Sequence, residues 1–284
     1  MASGNRARQP HTSIWLMDKP AVRRQSAAGR GKGQDQEQAA GLDLEKIVAA
    51  TVRLLDAEGL AKFSMRRLAA ELGVTAMSVY WYVATKDDLL ELALDAVHEP
   101  IPLPAPEDES VDWRDQLRGL AGEYRKLLTG HVWVPQLLGQ FINVGPRSMD
   151  FANATLRVIA RSELSLEERS GALSSVFQFV YGFATVEGLF NARCQEAGYS
   201  VDEFLANMIS AVEERPEFQE SLEASTLARD TRGGASVAQM RDRDFAFALD
   251  IMIAGIDAMR ERPRRAAESA AGAEAVVGSA GDSA

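Results

Sequence analysis

The sequence predicts an all-α chain. Three observations carry this. Apolar residues recur at one-faced helical spacing in most segments, Ser, Thr or Asp stands before those segments as a cap, and strand-like alternation is nowhere sustained. From the cap Asp43, inward positions at Ile47, Val48, Thr51, Leu54 and Leu55 predict a helix ending near Gly59. Ser64 caps a second helix with Leu68, Ala69 and Leu72 inward, stopped by Gly73. Thr75 caps a third, very short helix through about Tyr82. Thr85 and Asp88 have capping-box spacing, with Asp in place of the usual Glu, and open a fourth that runs towards Pro100.

The four prolines of "PIPLPAPEDES" (100–110) mark a domain boundary. Further helices are expected at about 112–129, in a broken segment 132–142, at 146–162, and at 166–197 behind a Ser165/Glu168 box. A pair at 201–214 and 217–224, the first behind Ser200/Glu203, is followed by a loop at 228–236 and a long helix at 238–261. The expected division is a flexible basic arm 1–41, a small helical domain 42–101, a larger one 102–262 and a disordered tail 263–284.

Net charge is −10, yet residues 1–40 carry seven Lys/Arg against three Asp/Glu. An acidic bulk with a basic arm excludes general polyanion binding, so any nucleic-acid contact must be local. A single cysteine, Cys194, excludes an intramolecular disulfide, and three scattered histidines show no metal-ligand spacing. No metal and no cofactor is expected. No nucleophile–base pair or phosphate-cradling Gly loop stands out, so an enzyme is not expected. No apolar run is read as long enough to cross a bilayer and no signal-peptide core is seen, so no membrane is expected and the expected location is the cytoplasm.

Three short helices with a Gly-marked turn between the second and third form a helix-turn-helix, whose last helix can enter a DNA major groove. That accounts for the consecutive aromatics Tyr80, Trp81 and Tyr82. With Val79 and Val83 inward, Tyr80 and Tyr82 point to phosphates and thymine methyls, while Trp81 is expected to brace the helix against its own domain. Thr75, Ala76, Met77 and Ser78 face bases and phosphates at the helix start, with plain capping as the bland alternative. Ser64, Met65 and Arg66 open the preceding helix, whose positive dipole end can abut the backbone; Arg67 is read as a surface charge. Lys86 begins the fourth helix, a poor dipole position for a cation unless a phosphate is near. In the arm, Arg23, Arg24, Arg30 and Lys32 either follow a narrow minor groove or form a solvated tail. The triplet Ile14–Trp15–Leu16 is expected to dock somewhere.

The segments "IVAATVRLLDAEG", "SMRRLAAELGV" and "MSVYWYVATKDDLLELAL" resemble the TetR family of one-component bacterial regulators across residues 42–98. The resemblance implies a helix-turn-helix at Ser64–Val83 with Tyr80 and Lys86 as phosphate contacts. The downstream layout is similar in organisation to the tetracycline-repressor branch, and "TSIWLMDKPAVRR" to an N-terminal extension of some actinomycete members. Two departures stand out. Ala76 and Met77 replace the Gln and Pro of that branch, and "FINVGPRS" offers Asn143 but no histidine for a magnesium–drug chelate.

The resemblance implies a ligand cavity and a dimer interface in the larger domain. The pocket candidates are Tyr124, Trp133, Phe141, Asn143, Met149, Phe151, Phe177, Tyr181 and Glu187, although each taken singly reads more readily as ordinary core. Helix 166–197, studded with Gly, Ala and Ser that let helices approach closely, and helix 238–261, apolar over more than one face, are the expected dimer contacts. The function expected is a homodimeric transcriptional repressor that leaves a palindromic double-stranded operator on binding an apolar or aromatic small molecule. A ligand-independent activator or regulator of the same fold is one alternative. A helical enzyme with an accessory DNA-binding domain is another.

Overall fold

The computed structural model describes residues 13–16, 42–105, 110–213, 215 and 236–281. Among them every regular element is a helix: α1 Leu44–Glu58, α2 Met65–Glu71, α3 Ala76–Tyr80, α4 Lys86–Ala96, α5 Trp113–Gly130, α6 Val134–Leu138, α7 Pro146–Ala160, α8 Leu166–Glu196, α9 Val201–Glu213 and α10 Val237–Gly281. The chain forms two compact units. The first contains residues 1–102 and 130–152, the second 103–129 and 153–284. Residues 130–152 thus belong with the first unit, although they follow the Pro-rich boundary in sequence. The helix expected at 217–224 lies outside the described residues.

Capping decides where the first four helices begin. Asp43, Ser64 and Thr75 each accept the amide three residues on, and Thr85 with Asp88 forms a complete reciprocal box. Such a cap is worth about 1 kcal/mol. Gly73, at φ +66°, makes the left-handed turn that separates α2 from α3. Ile47, Ala50, Leu55, Leu68, Val79, Leu89, Ala93 and Leu94 are all but fully buried and form one core, in which α1 packs on α4 and α2 on α3. The short helix α6 seals this core with Trp133, Val134 and Leu137. Asp56 of α1 accepts from the Trp133 Nε1–H at 2.7 Å and lies 2.7 Å from His131 Nδ1.

In the second unit α5 and α10 run antiparallel, as their ion pairs show. Arg114, Arg118 and Arg125 ascend α5 while their partners Asp257, Asp250 and Asp242 descend α10. The exposed members are worth at most about 1 kcal/mol each, so they set register more than stability. Phe179 and Phe183 of α8 close on Phe245 of α10 with ring centroids 5.6 and 5.4 Å apart. Arg161 ties α7 to the start of α5 through Gln116 Oε1 and the Val111 carbonyl.

Two expectations need correction here. The tail from 263, expected to be disordered, has helical backbone: α10 continues through Pro263 to Gly281. The residues beyond Pro263 are rich in Ala, the strongest helix former, which outweighs the scattered Gly and Ser. Second, α8 is long and apolar enough, by length and composition alone, to cross a bilayer. It nevertheless carries Glu187 paired to Arg125 and contributes Val176, Val180 and Ala184 to the core, as a helix packed within a folded unit does.

Candidate nucleic-acid interface and effector wall

Helix α3 spans only five residues, so its surface is quickly described. Val79 is fully buried and Val83 nearly so, which fixes which way the rest must point. Met77 is 67% exposed, Tyr80 44% and Trp81 74%. A run of large apolar groups held in water by a rigid turn marks a contact surface. Thr75 Oγ1 accepts the Ser78 amide at 3.2 Å and lies 2.9 Å from Ser78 Oγ, so capping and exposure coincide at the helix start. Ala76 is half-buried beside them.

Several expected contacts are reassigned by this geometry. Met65 is 7% exposed and belongs to the core, because its position one residue after the cap turns it under α2. Ser64, at the cap, and Arg66 remain on the surface. Tyr82 lies beyond the end of α3 and donates its hydroxyl to the Leu42 carbonyl at 2.6 Å, which fixes the start of α1. That proton is not available to a phosphate. Trp81 does not brace its domain. It caps the C-terminus of α3 with its ring in solvent, and nothing but its exposure signals a role. Lys86 donates to the Phe63 carbonyl at 3.0 Å with its ammonium over the Phe63 ring, one of three N–H donors being used there. Arg67 is held by Glu58 and Glu71. Arg23, Arg24, Arg30 and Lys32 lie outside the described residues.

Helix α4 links this surface to α7. Asp95, 1% exposed, accepts the Ser148 amide in the first turn of α7 at 2.9 Å, and its other oxygen faces Arg147 at 3.5 Å. The approach is so close that a Cβ on Gly145 would lie 2.2 Å from Asp95 Oδ1, so glycine alone fits. His98, one turn on, lies 2.9 Å from the Leu94 carbonyl and 3.3 Å from Ser148 Oγ, with its ring tilted against Phe151. Burial lowers the His98 pKa from its ordinary value and His131 adds to this, against the opposing pull of the Leu94 carbonyl and Asp95.

The pocket candidates divide between the units. Trp133, 2% exposed with its N–H given to Asp56, is core of the first unit, not pocket lining. Phe141, Asn143, Met149 and Phe151 also belong to that unit, Met149 exposed and Phe151 packed on His98. In the second unit Tyr124 of α5 meets Phe177 edge-on at 5.6 Å. Phe177, Tyr181 and Thr185 follow one another at four-residue spacing on α8. Burial pushes the Tyr124 hydroxyl up to about 12, helped by Tyr181. Thr185 Oγ1 is buried without a hydrogen-bond partner among the described residues. Its spacing from Phe177 and Tyr181 could have suggested it, but an orphaned hydroxyl is visible only in three dimensions. Glu187 is taken up by Arg125 in a two-point pair at 2.7 and 2.8 Å. Burial opposes the Arg125 charge, yet this pair and Asp242 hold its pKa above the usual value.

Comparison with known proteins matches this layout part by part. Residues 47–93 match the N-terminal domain of bacterial regulatory proteins of the tetR family, and residues 104–260 match the tetracyclin repressor-like C-terminal domain. A transcriptional regulator of Saccharopolyspora erythraea is 35% identical over 157 residues, covering 55% of this chain and 65% of that protein. The repressor DrrR1 of Streptomyces coeruleorubidus is 38% identical over 143 residues, 50% of this chain and 53% of the relative. The chain thus spans between about half and two thirds of these curated relatives. Apo ActR of Streptomyces coelicolor superposes with a TM-score of 0.60 at 25% identity, covering 79% of this chain and 99% of its own. ActR in complex with actinorhodin gives 0.57 at 26%, covering 76% and 96%. With a helix-turn-helix unit in front and this second helical part behind, the chain belongs to the TetR family of bacterial regulatory proteins.

Proposed function

We propose that the chain is a cytoplasmic, homodimeric repressor that binds a pseudo-palindromic operator and leaves it when a small aromatic molecule binds. The observation that carries the DNA part is the α3 surface, where Met77, Tyr80 and Trp81 stand exposed over a buried Val79. In this reading Met77, Ser78 and Ala76 meet base edges, while Tyr80, Lys86, Ser64, Thr75 and Arg66 meet phosphates. Arg23 and Arg24 add minor-groove contacts. One short recognition helix makes too few contacts alone. Two copies would read half-sites about one helical turn apart, roughly 34–36 Å.

The partner for dimerisation is supported by apolar residues on the outer faces of two helices. On α10, Phe247, Ile251 and Met259 are exposed while Phe245, Leu249, Ile253 and Ile256 fill the core, so the helix is apolar on two sides. Val186 and Leu189 of α8 are exposed likewise. A second copy is the natural cover for such faces.

The effector wall is formed by Tyr124, Phe177, Tyr181 and Thr185: flat apolar surface with hydroxyls among it, suited to a planar aromatic ligand carrying hydrogen-bonding groups. The binding of actinorhodin by ActR is the supporting parallel. Release would pass through α4, whose Asp95 caps α7, a helix that begins in the first unit and continues into the second. Such a ligand acts only through its preference for the released state, up to about 5.5 kcal/mol for a full reversal. Footprinting on the gene's own upstream region, with and without actinorhodin-like compounds, tests the whole reading. A protected symmetric pair of half-sites is expected, and protection of one asymmetric half-site by a monomer would refute it.

A further inference from the structure

We propose that Ser13–Leu16 is an intramolecular ligand of the DNA-binding unit, docked on Glu91 of α4, and that both the stability of that unit and its operator affinity depend on this dock. Glu91 sits in the middle of α4 and is only 2% exposed. A carboxylate there is tolerated only when hydrogen-bonded. Ser13, 78 residues away in sequence and itself 6% exposed, donates its hydroxyl to Glu91 Oε2.

The same hydroxyl accepts the Trp15 amide at 3.3 Å, and the Leu16 amide returns to the Ser13 carbonyl at 3.0 Å. The segment is therefore a closed turn whose centre is the serine oxygen, with Ile14 and Trp15 half-buried and Leu16 63% exposed. A four-residue turn has little stability of its own, so its ordered form is set by what it docks on. The turn adds a hydroxyl donor to the surroundings of this buried carboxylate.

Ser13 is held at Glu91 and Leu42 is held through its carbonyl by Tyr82, so both described ends are fixed on the first unit. Two fixed points flanking Arg23 and Arg24 in sequence would raise the local concentration of those side chains at an operator above that of a one-ended tail. This last consequence rests on the proposed role of Arg23 and Arg24 in DNA binding; the dock itself does not.

The test compares the full chain, Ser13→Ala, and chains lacking residues 1–12, 1–16 and 1–33, by thermal unfolding and by operator affinity at one salt concentration. Removal of 1–12 should leave the unfolding temperature unchanged. Removal of 1–16 should lower it by about 3 °C or more, with Ser13→Ala in between. Equal unfolding temperatures for the 1–12 and 1–16 deletions would overturn the dock. Removal of 1–16 should also weaken operator binding about as much as removal of 1–33, roughly fivefold or more, although it keeps Arg23 and Arg24. If removal of 1–33 weakens binding and removal of 1–16 does not, the dock does not place the arm and the proposal fails. If neither deletion changes affinity while removal of 1–16 lowers the unfolding temperature, the dock stands and the DNA role of the arm is refuted.

Discussion

Replacing Gly145 with alanine should destabilise the first unit by about 2–4 kcal/mol, although the change adds one methyl to a loop. An alanine Cβ at this position would lie 2.2 Å from Asp95 Oδ1, 2.4 Å from its Cγ and 2.7 Å from its Cβ. The last two atoms are not the tip of a flexible chain, so rotating the carboxylate does not relieve the overlap. Asp95 is 1% exposed and holds the Ser148 amide, and any retreat gives up that cap. Overpacking costs about 1–3 kcal/mol and the lost cap about 1 kcal/mol more. Urea unfolding of the full chain measures this, with Asp95→Ala and the double variant completing a cycle. Asp95→Ala removes the oxygen and carboxyl carbon that clash, so the double variant should cost clearly less than the sum of the singles, by about 1 kcal/mol or more. A Gly145→Ala variant within about 0.5 kcal/mol of the parent, or strictly additive effects, would refute the reasoning.

Four further outcomes are expected. Tyr80→Ala and Lys86→Ala should weaken operator binding on every sequence tested, and Lys86→Ala should lower the salt slope by about one unit, whereas Met77 and Ser78 variants should change the ranking of operators; titrations by fluorescence anisotropy separate the two patterns. Because burial lowers the His98 pKa in the folded protein, the unfolded chain binds the proton first. Stability should then be level above about pH 6.5 and fall below it until the folded group also titrates. His98→Asn should flatten that part of the urea-midpoint profile, and an unchanged profile would count against it. Glu187→Gln should cost about 2–4 kcal/mol, since the pair with Arg125 is only 12–13% exposed, while Glu123→Gln, whose partner Lys126 is solvent-exposed, should cost less than about 1 kcal/mol in the same assay. Ile251→Glu should yield monomers in sedimentation without lowering helicity, because that side chain is 58% exposed on α10; a dimer that persists would move the interface elsewhere.

The helix-turn-helix was legible because its information is local. Asp43, Ser64, Thr75 and Thr85 each cap within three residues of themselves, and Gly73 alone supplies the turn between α2 and α3. What was misread depends on where helices stop and on distant partners. Periodicity carries the helix through Tyr82, but α3 ends at Tyr80, so Trp81 and Tyr82 do not have the faces that periodicity assigns them. Tyr82 answers to Leu42, 40 residues away, and Trp133 to Asp56, 77 away, and no pattern within a window reports either.

The same distinction governs the effector side. Aromatic residues in the second half of the chain can be named from sequence, but whether one is lining or core depends on which unit its segment joins. Residues 130–152 joined the first unit, and Trp133 with them, because α6 seals the α1–α4 core. The consequence bears on mechanism. The segment that the family resemblance reads as ligand-facing, 141–148, ends at Gly145–Ser148 in the part clamped by Asp95 of the DNA-binding unit. A glycine with no room for a methyl and a carboxylate capping a helix make a joint with little slack. Motion of the start of α7 would therefore be passed to α4 as displacement, because the space beside Gly145 does not admit even a methyl group. Under the proposed function, Gly145 and Asp95 are therefore the positions where ligand binding and DNA release should be most readily uncoupled.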